Sequence, residues 1–119
     1  MILVIEDDEM MRDLLQMILE NEGYAVLCAG DGVEAVQLHE RHEEKIRLIL
    51  FDMELPRLNG LEAYRRIKKI DPSVKAIFVS GFFDERLKRD LEHEGVRHLI
   101  SKPFVASEVV TLVREALGE

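Results

Sequence analysis

The chain has 119 residues, of which 24 are acidic and 16 are basic, so it carries a net charge of -8. This balance disfavours direct binding to a nucleic-acid backbone. No apolar run approaches the ~18 residues of a membrane span, and the single cysteine, Cys28, excludes a disulfide within the chain. We therefore expect one soluble, cytoplasmic domain over residues 1–119, with Cys28 packed in its core.

The first third of the chain predicts two strand-helix pairs. Residues 2–5 are an apolar run that reads as a strand and ends in the acids of residues 6–9. A helix follows, with Gly23 as its terminator and apolar residues at helical spacing: Met11, Leu14, Leu15 and Ile18. Residues 25–29 form a second apolar run, after which Asp31-Gly32-Val33-Glu34 has the form of a capping box opening a helix that runs to about Glu44.

The rest of the chain predicts three more pairs. Apolar runs at residues 48–51, 76–79 and 99–101 are followed immediately by Asp52, Ser80 and Lys102, respectively. Three helical patterns follow these runs: one over residues 61–67 after the Asn59-Gly60 turn and before Asp71-Pro72, one over about 84–94, and one over 109–117 before Gly118. The middle pattern has only Leu87 and Leu91 as an apolar pair, so we expect that helix to be weakly held.

Continuous apolar strands alternating with helices are typical of a parallel sheet covered on both faces, so the chain predicts a doubly wound α/β sandwich. The carboxyl ends of parallel strands meet at one edge, where ligands of such sheets bind. Acids, a hydroxyl and a lysine would then converge. Carboxylates at about 4 Å repel by roughly 4 kcal/mol per pair at an effective dielectric near 20, so a cation must lie among them. Oxygen ligands of this kind suit Mg²⁺.

With these motifs in place, the chain resembles the receiver domain of two-component response regulators from Ile2 to Leu117. The resemblance is carried by the acidic pair Glu6-Asp7 and by Asp52, Ser80-Gly81 and Lys102-Pro103-Phe104, each at a strand end. It implies a five-stranded (βα)5 flavodoxin-like sheet with five helices and strand order 2-1-3-4-5. It also implies that Asp52 accepts a phosphoryl group from a histidine kinase or phosphotransfer protein.

The resemblance further implies a role for each residue of the site. Mg²⁺ would be bound by Asp7, Asp52 and the main-chain carbonyl of Glu54, with Glu6 acting through water. Lys102 and Ser80 would hold the phosphoryl oxygens, and the Lys102–Pro103 bond would be cis. Phosphorylation would change the face formed by the fourth helix, fifth strand and fifth helix, where an effector domain or partner could bind.

One position departs from the family pattern. Leu99 stands where the fifth strand usually carries the aromatic ring that responds to the hydroxyl at the Ser80 position. We expect Leu99 to be a passive packing residue and the loop from Ser80 to Phe83 to carry the change. Glu54 and Phe82 occupy positions that in the family influence the lifetime of the aspartyl phosphate.

Other functions remain as alternatives. A Mg²⁺-dependent phosphatase of the aspartyl-phosphate type would also use a strand-end Asp and a Lys. That class is typified by an Asp-x-Asp motif, whereas this chain has Glu54 two residues after Asp52. A degenerate scaffold is disfavoured by the intact set of site residues, and a flavin-binding module by the acidic loop after the first strand.

Several other polar and apolar residues have ordinary structural interpretations. Asp8 and Glu9 suit the first turn of a helix, where its dipole favours acids. The four histidines lack the spacing of a metal site and are predicted at the surface or its boundary: His39, His42, His93 and His98. Met10, Met11 and Met17 are predicted as core and boundary packing.

Overall fold

A computed structural model describes residues 1–55 and 58–119 of the chain. Within these residues five strands alternate with five helices, as the sequence predicts. The strands are β1 (Ile2–Ile5), β2 (Val26–Ala29), β3 (Leu48–Asp52), β4 (Ala76–Ser80) and β5 (His98–Ser101). The helices are α1 (Glu9–Asn21), α2 (Gly32–His42), α3 (Gly60–Ile70), α4 (Glu85–His93) and α5 (Ala106–Leu117). None of these described helices is both long and apolar enough to cross a membrane.

All five strands are parallel and lie in the order β2-β1-β3-β4-β5. This confirms the predicted doubly wound, flavodoxin-like α/β fold. Strands β1, β3 and β4 are buried at every position because helices cover both faces of the sheet, which explains their continuous apolar sequences. Since β1, β3 and β4 are consecutive in the sheet, the residues that end them lie side by side at one edge.

The two faces of the sheet bury separate apolar layers, because successive side chains of a strand point to opposite faces. One layer packs against α2, α3 and α4 and contains Leu3, Ile5, Phe51 and Phe78. Its centre is aromatic: the rings of Phe51 and Phe78 stack at 5.0 Å, and Tyr64 of α3 meets both edge-on at 5.6 Å. The other layer packs against α1 and α5 through side chains such as Val4 and Ile77.

The helix boundaries follow local signals in the sequence. The side chains of Asp8, Asp31, Asn59 and Asp84 each accept a backbone N–H of the helix that follows. The helix-start interpretation of Asp8 and the cap predicted at Asp31 are thereby confirmed. The predicted terminators Gly23 and Gly118 have φ angles of 90° and 77°, the left-handed conformation that glycine adopts without strain. Helix α2 ends at His42, slightly before the predicted end near Glu44.

The prediction that His39 lies at the surface or its boundary is wrong. Its side chain is fully buried, and its Nε2 lies 3.4 Å from Asp71 Oδ2, just after α3. Helix α2 packs against α3, so the inner face of α2 is covered by protein at the position where the sequence suggested solvent. The other histidines are exposed or half-buried, as predicted.

The prediction that Met10 and Met17 pack at the core or its boundary is also wrong. Their side chains are 82% and 54% exposed, and Leu14 between them is 40% exposed. Helix α1 buries a different stripe, formed by Leu15, Ile18 and Leu19. Met10, Leu14 and Met17 recur at i, i+4 and i+7, so they form a second apolar stripe that faces outward. We call these three residues the α1 patch.

Helix α4 is held unevenly. Leu91 is its one fully buried side chain among the described residues, and Leu87 is half-buried, as the sparse apolar pattern predicts. Its C-terminal end is tied to α3 at Glu94, where Arg65 Nε donates to Oε1 at 2.9 Å and the Tyr64 hydroxyl donates to the backbone carbonyl at 3.2 Å. The N-terminal end of α4 follows directly from the loop after β4.

Candidate functional site

The predicted acids meet at the carboxyl edge of the sheet. Glu6 follows β1 and Asp52 ends β3, and the two side chains are almost completely buried. Asp7 is exposed beside them, and each of the three carboxylates places one oxygen within 4.8 Å of the others. Asp8 is not part of this cluster, because its Oδ1 accepts the backbone N–H groups of Met10 and Met11 at the start of α1.

Lys102 brings a positive charge to the acids from the far side of the sheet. It follows β5, and its Nζ lies 3.1 Å from Glu6 Oε1 and 3.4 Å from Asp52 Oδ2. Its backbone N–H donates to the Ser80 carbonyl at 2.8 Å, which anchors the residue beside β4. The Lys102–Pro103 peptide bond is cis, as the resemblance implies. One ammonium therefore bridges two buried carboxylates that come from different strands.

The electrostatics of the site leave negative charge uncompensated. The pKa of Asp52 is raised to about 6, mainly by burial and further by the neighbouring Glu6. The hydrogen bond from the backbone N–H of Glu54 lowers this pKa but does not offset the rise. Burial lowers the pKa of Lys102, but Glu6 and Asp52 together outweigh it, so its net pKa lies above the ordinary value. Lys102 therefore stays protonated, and Asp52 ionises at a higher pH than an ordinary aspartate does.

The loop after β3 holds Asp52 in place. The Glu54 N–H donates to Asp52 Oδ1 at 3.1 Å, and the Met53 N–H donates to the Val79 carbonyl at 3.0 Å. Gly60, at the start of α3, lies so close to the Asp52 carbonyl that a Cβ there would overlap its oxygen. The pair Asn59-Gly60 predicts a turn at this point of the chain, but it does not predict the close approach of Gly60 to Asp52. A glycine just beyond a strand-end acid was its only signal.

Ser80 ends β4 and is fully buried. Its Oγ donates to Glu54 Oε1 at 2.6 Å and accepts the backbone N–H of Phe82 at 3.2 Å. The structure therefore brings Ser80 to the site edge, with its hydroxyl engaged by the side chain of Glu54. Nothing in the sequence pattern pointed to this pair, because Glu54 and Ser80 lie on different loops.

Leu99 lies away from the acids. Its side chain is half-buried on the face of the sheet covered by α2, α3 and α4. It borders an open, polar cavity of about 570 Å³ between α4 and β5, lined by Lys88, Glu92, Gly95, Val96, Arg97 and Leu99. Leu99 is thus a partly covered packing residue, and its part in a switch stays a prediction.

The donor set fits a small, hard cation. Three carboxylates offer oxygens within reach of one centre, and two of them are buried with a single ammonium between them. Mg²⁺ prefers oxygen ligands and keeps several waters, which the exposed side of Asp7 allows. Burial, the largest cause, and the neighbouring Glu6 raise the pKa of Asp52 because they disfavour its ionised form, which a bound cation would favour.

Comparison with known proteins places this geometry in a family. The model of the response regulator receiver domain family matches residues 2–114. The response regulator receiver protein CpdR of Brucella abortus is 36% identical over 98% of this chain and 95% of its own length. The sensor kinase CckA of the same organism is 30% identical over 98% of this chain, but the chain spans only 12% of its length.

A solved structure agrees with the sequence comparison. The chain is similar to CheY of Borrelia burgdorferi, whose crystal structure is described as a CheX-CheY-BeF3-Mg+2 complex, with a TM-score of 0.91, 26% identity, and coverage of 96% of this chain and 86% of that one. Phosphorylation on an aspartate and Mg²⁺ binding at an acidic pocket are general properties of such domains, and the cluster of Glu6, Asp7 and Asp52 provides such a pocket. The chain belongs to the receiver domains of two-component signalling.

Proposed function

We propose that Asp52 is the phosphoryl acceptor of this receiver domain. The single observation that carries the proposal is the position of its carboxylate: buried at the end of a central strand, oriented by the Glu54 N–H, and 3.4 Å from the Lys102 ammonium. Glu6 is already engaged by Lys102 at 3.1 Å, and Asp7 is exposed. Glu6 is buried as deeply and also accepts a backbone N–H, from Asp7 at 3.1 Å. Of the three acids, however, Asp52 is the one that ends the central strand β3, next to the end of β4 that carries Ser80.

The chemistry is an in-line phosphoryl transfer. A carboxylate oxygen of Asp52 attacks the phosphorus of a phosphohistidine, and the new P–O bond forms as the P–N bond breaks, with its electron pair returning to the imidazole nitrogen. Lys102 neutralises charge on the phosphoryl oxygens, and the Ser80 hydroxyl can donate a hydrogen bond to one of them once it is free. The resulting acyl phosphate is an anhydride that water hydrolyses, so the modification reverses itself.

A bound Mg²⁺ would supply further neutralisation of the phosphoryl oxygens. We propose that Asp7 and Asp52 hold it with their carboxylates and Glu54 with its main-chain carbonyl, while Glu6 acts through water. Lys102, whose Nζ lies 3.4 Å from Asp52 Oδ2, would be the second positive group of the site. The two cations then offset the repulsion among three carboxylates.

The phosphodonor is a protein, a histidine kinase or a phosphotransfer protein, and we propose that it docks on the α1 patch. The patch starts at Met10, immediately after the acidic loop, and Asp8 and Asp13 line the open groove beside it. A donor that presents apolar side chains with basic neighbours matches this surface in both chemistry and charge. Docking there places the donor next to the edge that holds Asp52.

For the output, we propose that one domain over residues 1–119 signals through the face of α4, β5 and α5. Ser80 connects the site to the loop before α4, and Lys102 connects it to the end of β5. Because the C-terminal end of α4 is tied to α3 through Glu94, we expect movement at the N-terminal end of α4. An effector or partner that binds at the N-terminal end of α4 would respond to phosphorylation.

The test is phosphorylation by a small donor such as phosphoramidate with Mg²⁺. Intact-mass measurement of the wild-type chain should show one phosphate that hydroxylamine removes, and Asp52→Asn should show none while keeping its circular dichroism spectrum. Asp13→Asn is the matched control, since Asp13 is an exposed acid on α1 outside the cluster, and it should be modified like wild type. Equal phosphate on Asp52→Asn at the same rate would overturn the assignment.

A further inference from the structure

The shortest polar contact at the site edge joins two residues from different loops. Ser80 Oγ donates to Glu54 Oε1 at 2.6 Å, and the backbone carbonyl of Phe82 lies 3.0 Å from the same Oγ as a second, more distant acceptor. Ser80 is fully buried, whereas Glu54 is exposed to solvent. The side chain of Glu54 therefore turns back over the site edge to reach a buried hydroxyl.

This contact competes with the reaction. A serine hydroxyl has one hydrogen, so while it is donated to Glu54 it cannot be donated to a phosphoryl oxygen on Asp52. The Phe82 N–H donates to the same oxygen at 3.2 Å, so the rotamer of Ser80 is coupled to the backbone of the loop before α4. Release of Ser80 from Glu54 would therefore change the start of that loop.

We propose that the Glu54 carboxylate is a latch that holds Ser80 in the unphosphorylated rotamer and sets how readily the domain switches. The proposal rests on the proposed function, because the group that draws Ser80 away is a phosphoryl group on Asp52. Glu54 is a positioning residue that acts through Ser80. Its main-chain N–H is already bound to Asp52 Oδ1 at 3.1 Å, so one residue contacts both the acceptor and the hydroxyl.

The latch predicts a specific pattern of affinity for a phosphoryl mimic. Glu54→Ala removes the nearer of the two acceptors that compete for the Ser80 hydrogen and leaves the Phe82 carbonyl at 3.0 Å. This variant should therefore bind beryllofluoride with Mg²⁺ about three- to tenfold more tightly than wild type, the range set by one lost hydrogen bond. Glu54→Gln keeps a carbonyl oxygen at the same reach and should restore most of the wild-type affinity. A tighter Glu54→Ala without rescue by Gln would indicate that the charge, and not the latch, is responsible.

A double-mutant cycle separates the latch from charge repulsion. In a Ser80→Ala background there is no hydroxyl to release, so adding Glu54→Ala should leave the beryllofluoride affinity unchanged. Repulsion of the anion by Glu54 would act in both backgrounds. A gain of the same size with and without Ser80 would therefore overturn the proposal.

A measurement without any phosphoryl mimic tests the latch independently of the proposed function. In the Mg²⁺-free protein, Glu54→Ala should change the χ1 couplings of Ser80 and the amide shift of Phe82, and Glu54→Gln should change them less. If wild type fails to bind beryllofluoride, the proposed function is wrong, while these couplings still decide the latch. An unchanged Ser80 rotamer in Glu54→Ala would overturn it.

Discussion

Strands β3 and β4 contain two regions of opposite character only one or two residues apart. In their interior Phe51 pairs with Phe78, and the two rings stack at 5.0 Å within a fully buried layer. At their ends stand Asp52 and Ser80, which are buried as deeply but are polar. The same sheet thus contains an aromatic pair whose burial stabilises the fold and a carboxylate whose burial destabilises it.

This difference shows which part of the domain lowers its stability. Apolar contacts inside the sheet stabilise the fold, whereas at the edge burial raises the pKa of Asp52 and one ammonium faces two buried acids. Function requires that edge, since a phosphoryl group and a divalent cation bind where negative charge is concentrated. The interior must therefore supply the stability that the edge gives up.

The largest expected effect is on the interior. Phe51→Ala should lower the free energy of unfolding by about 3–5 kcal/mol, because a fully buried ring is lost from the aromatic layer. Phe82→Ala is the matched control: its side chain is 73% exposed, so its removal should change stability by no more than about 0.5 kcal/mol. Urea unfolding of both variants measures this, and similar losses would contradict the comparison.

The next effect concerns the pH dependence of the edge. The folded pKa of Asp52, about 6, lies above the ordinary value, so the proton on Asp52 favours the folded state and that stability is lost as the pH rises through 6. At pH 7.5 without Mg²⁺, Asp52→Asn should raise the free energy of unfolding by about 1–3 kcal/mol, and the gain should shrink towards pH 4.

Urea titrations of wild type, Asp52→Asn and the surface control Asp13→Asn, at several pH values in chelator, measure this dependence. The control keeps the titration of every buried acid. A gain in Asp52→Asn that stayed constant across the range would mean that Asp52 has an ordinary pKa in the fold.

Two neighbouring acids at the edge, Asp7 and Asp8, should have different roles, the first in metal binding and the second in helix capping. Asp7→Ala should weaken Mg²⁺ binding by at least about tenfold, or 1.4 kcal/mol, because it removes one oxygen of the cluster. Asp8→Ala should leave Mg²⁺ binding near wild type and lose about 1 kcal/mol of stability with its helix cap. Metal titrations and urea unfolding of the two variants give both quantities. A larger loss of Mg²⁺ affinity in Asp8→Ala would reverse the roles of the two acids.

The smallest effect on the site is expected at Leu99 of β5, which is in register with Phe78 of β4 and lies away from the acids. Its side chain is half-buried, so Leu99→Ala should cost about 1–2 kcal/mol, below the range for a fully buried leucine. Amide shifts of residues 80–83 on adding beryllofluoride should remain close to wild type, because the loop is linked to the site through Ser80. Loss of those shifts in Leu99→Ala would make the leucine part of the switch.

Much of the fold could be predicted from local patterns. Continuous apolar runs, helical spacing and caps such as Asp31 specify strands, helices and their boundaries through interactions between near neighbours in sequence. The convergence of Glu6, Asp52, Ser80 and Lys102 then follows because parallel strands bring their carboxyl ends to one edge. These residues could be named from the sequence, together with the charge that they gather.

Other features depended on packing between elements distant in sequence. Periodicity identifies an apolar stripe on a helix, but not which stripe the sheet covers. It therefore predicts Met10 and Met17 at the core or its boundary, although both face outward. His39 is buried because α3 lies across it, and Gly60 is needed because α3 begins against the Asp52 carbonyl. The hydrogen bond from Ser80 to Glu54 likewise depends on packing between elements that are distant in sequence. Two loops must be folded over one edge before a carboxylate and a hydroxyl can meet, and only the tertiary structure decides that distance.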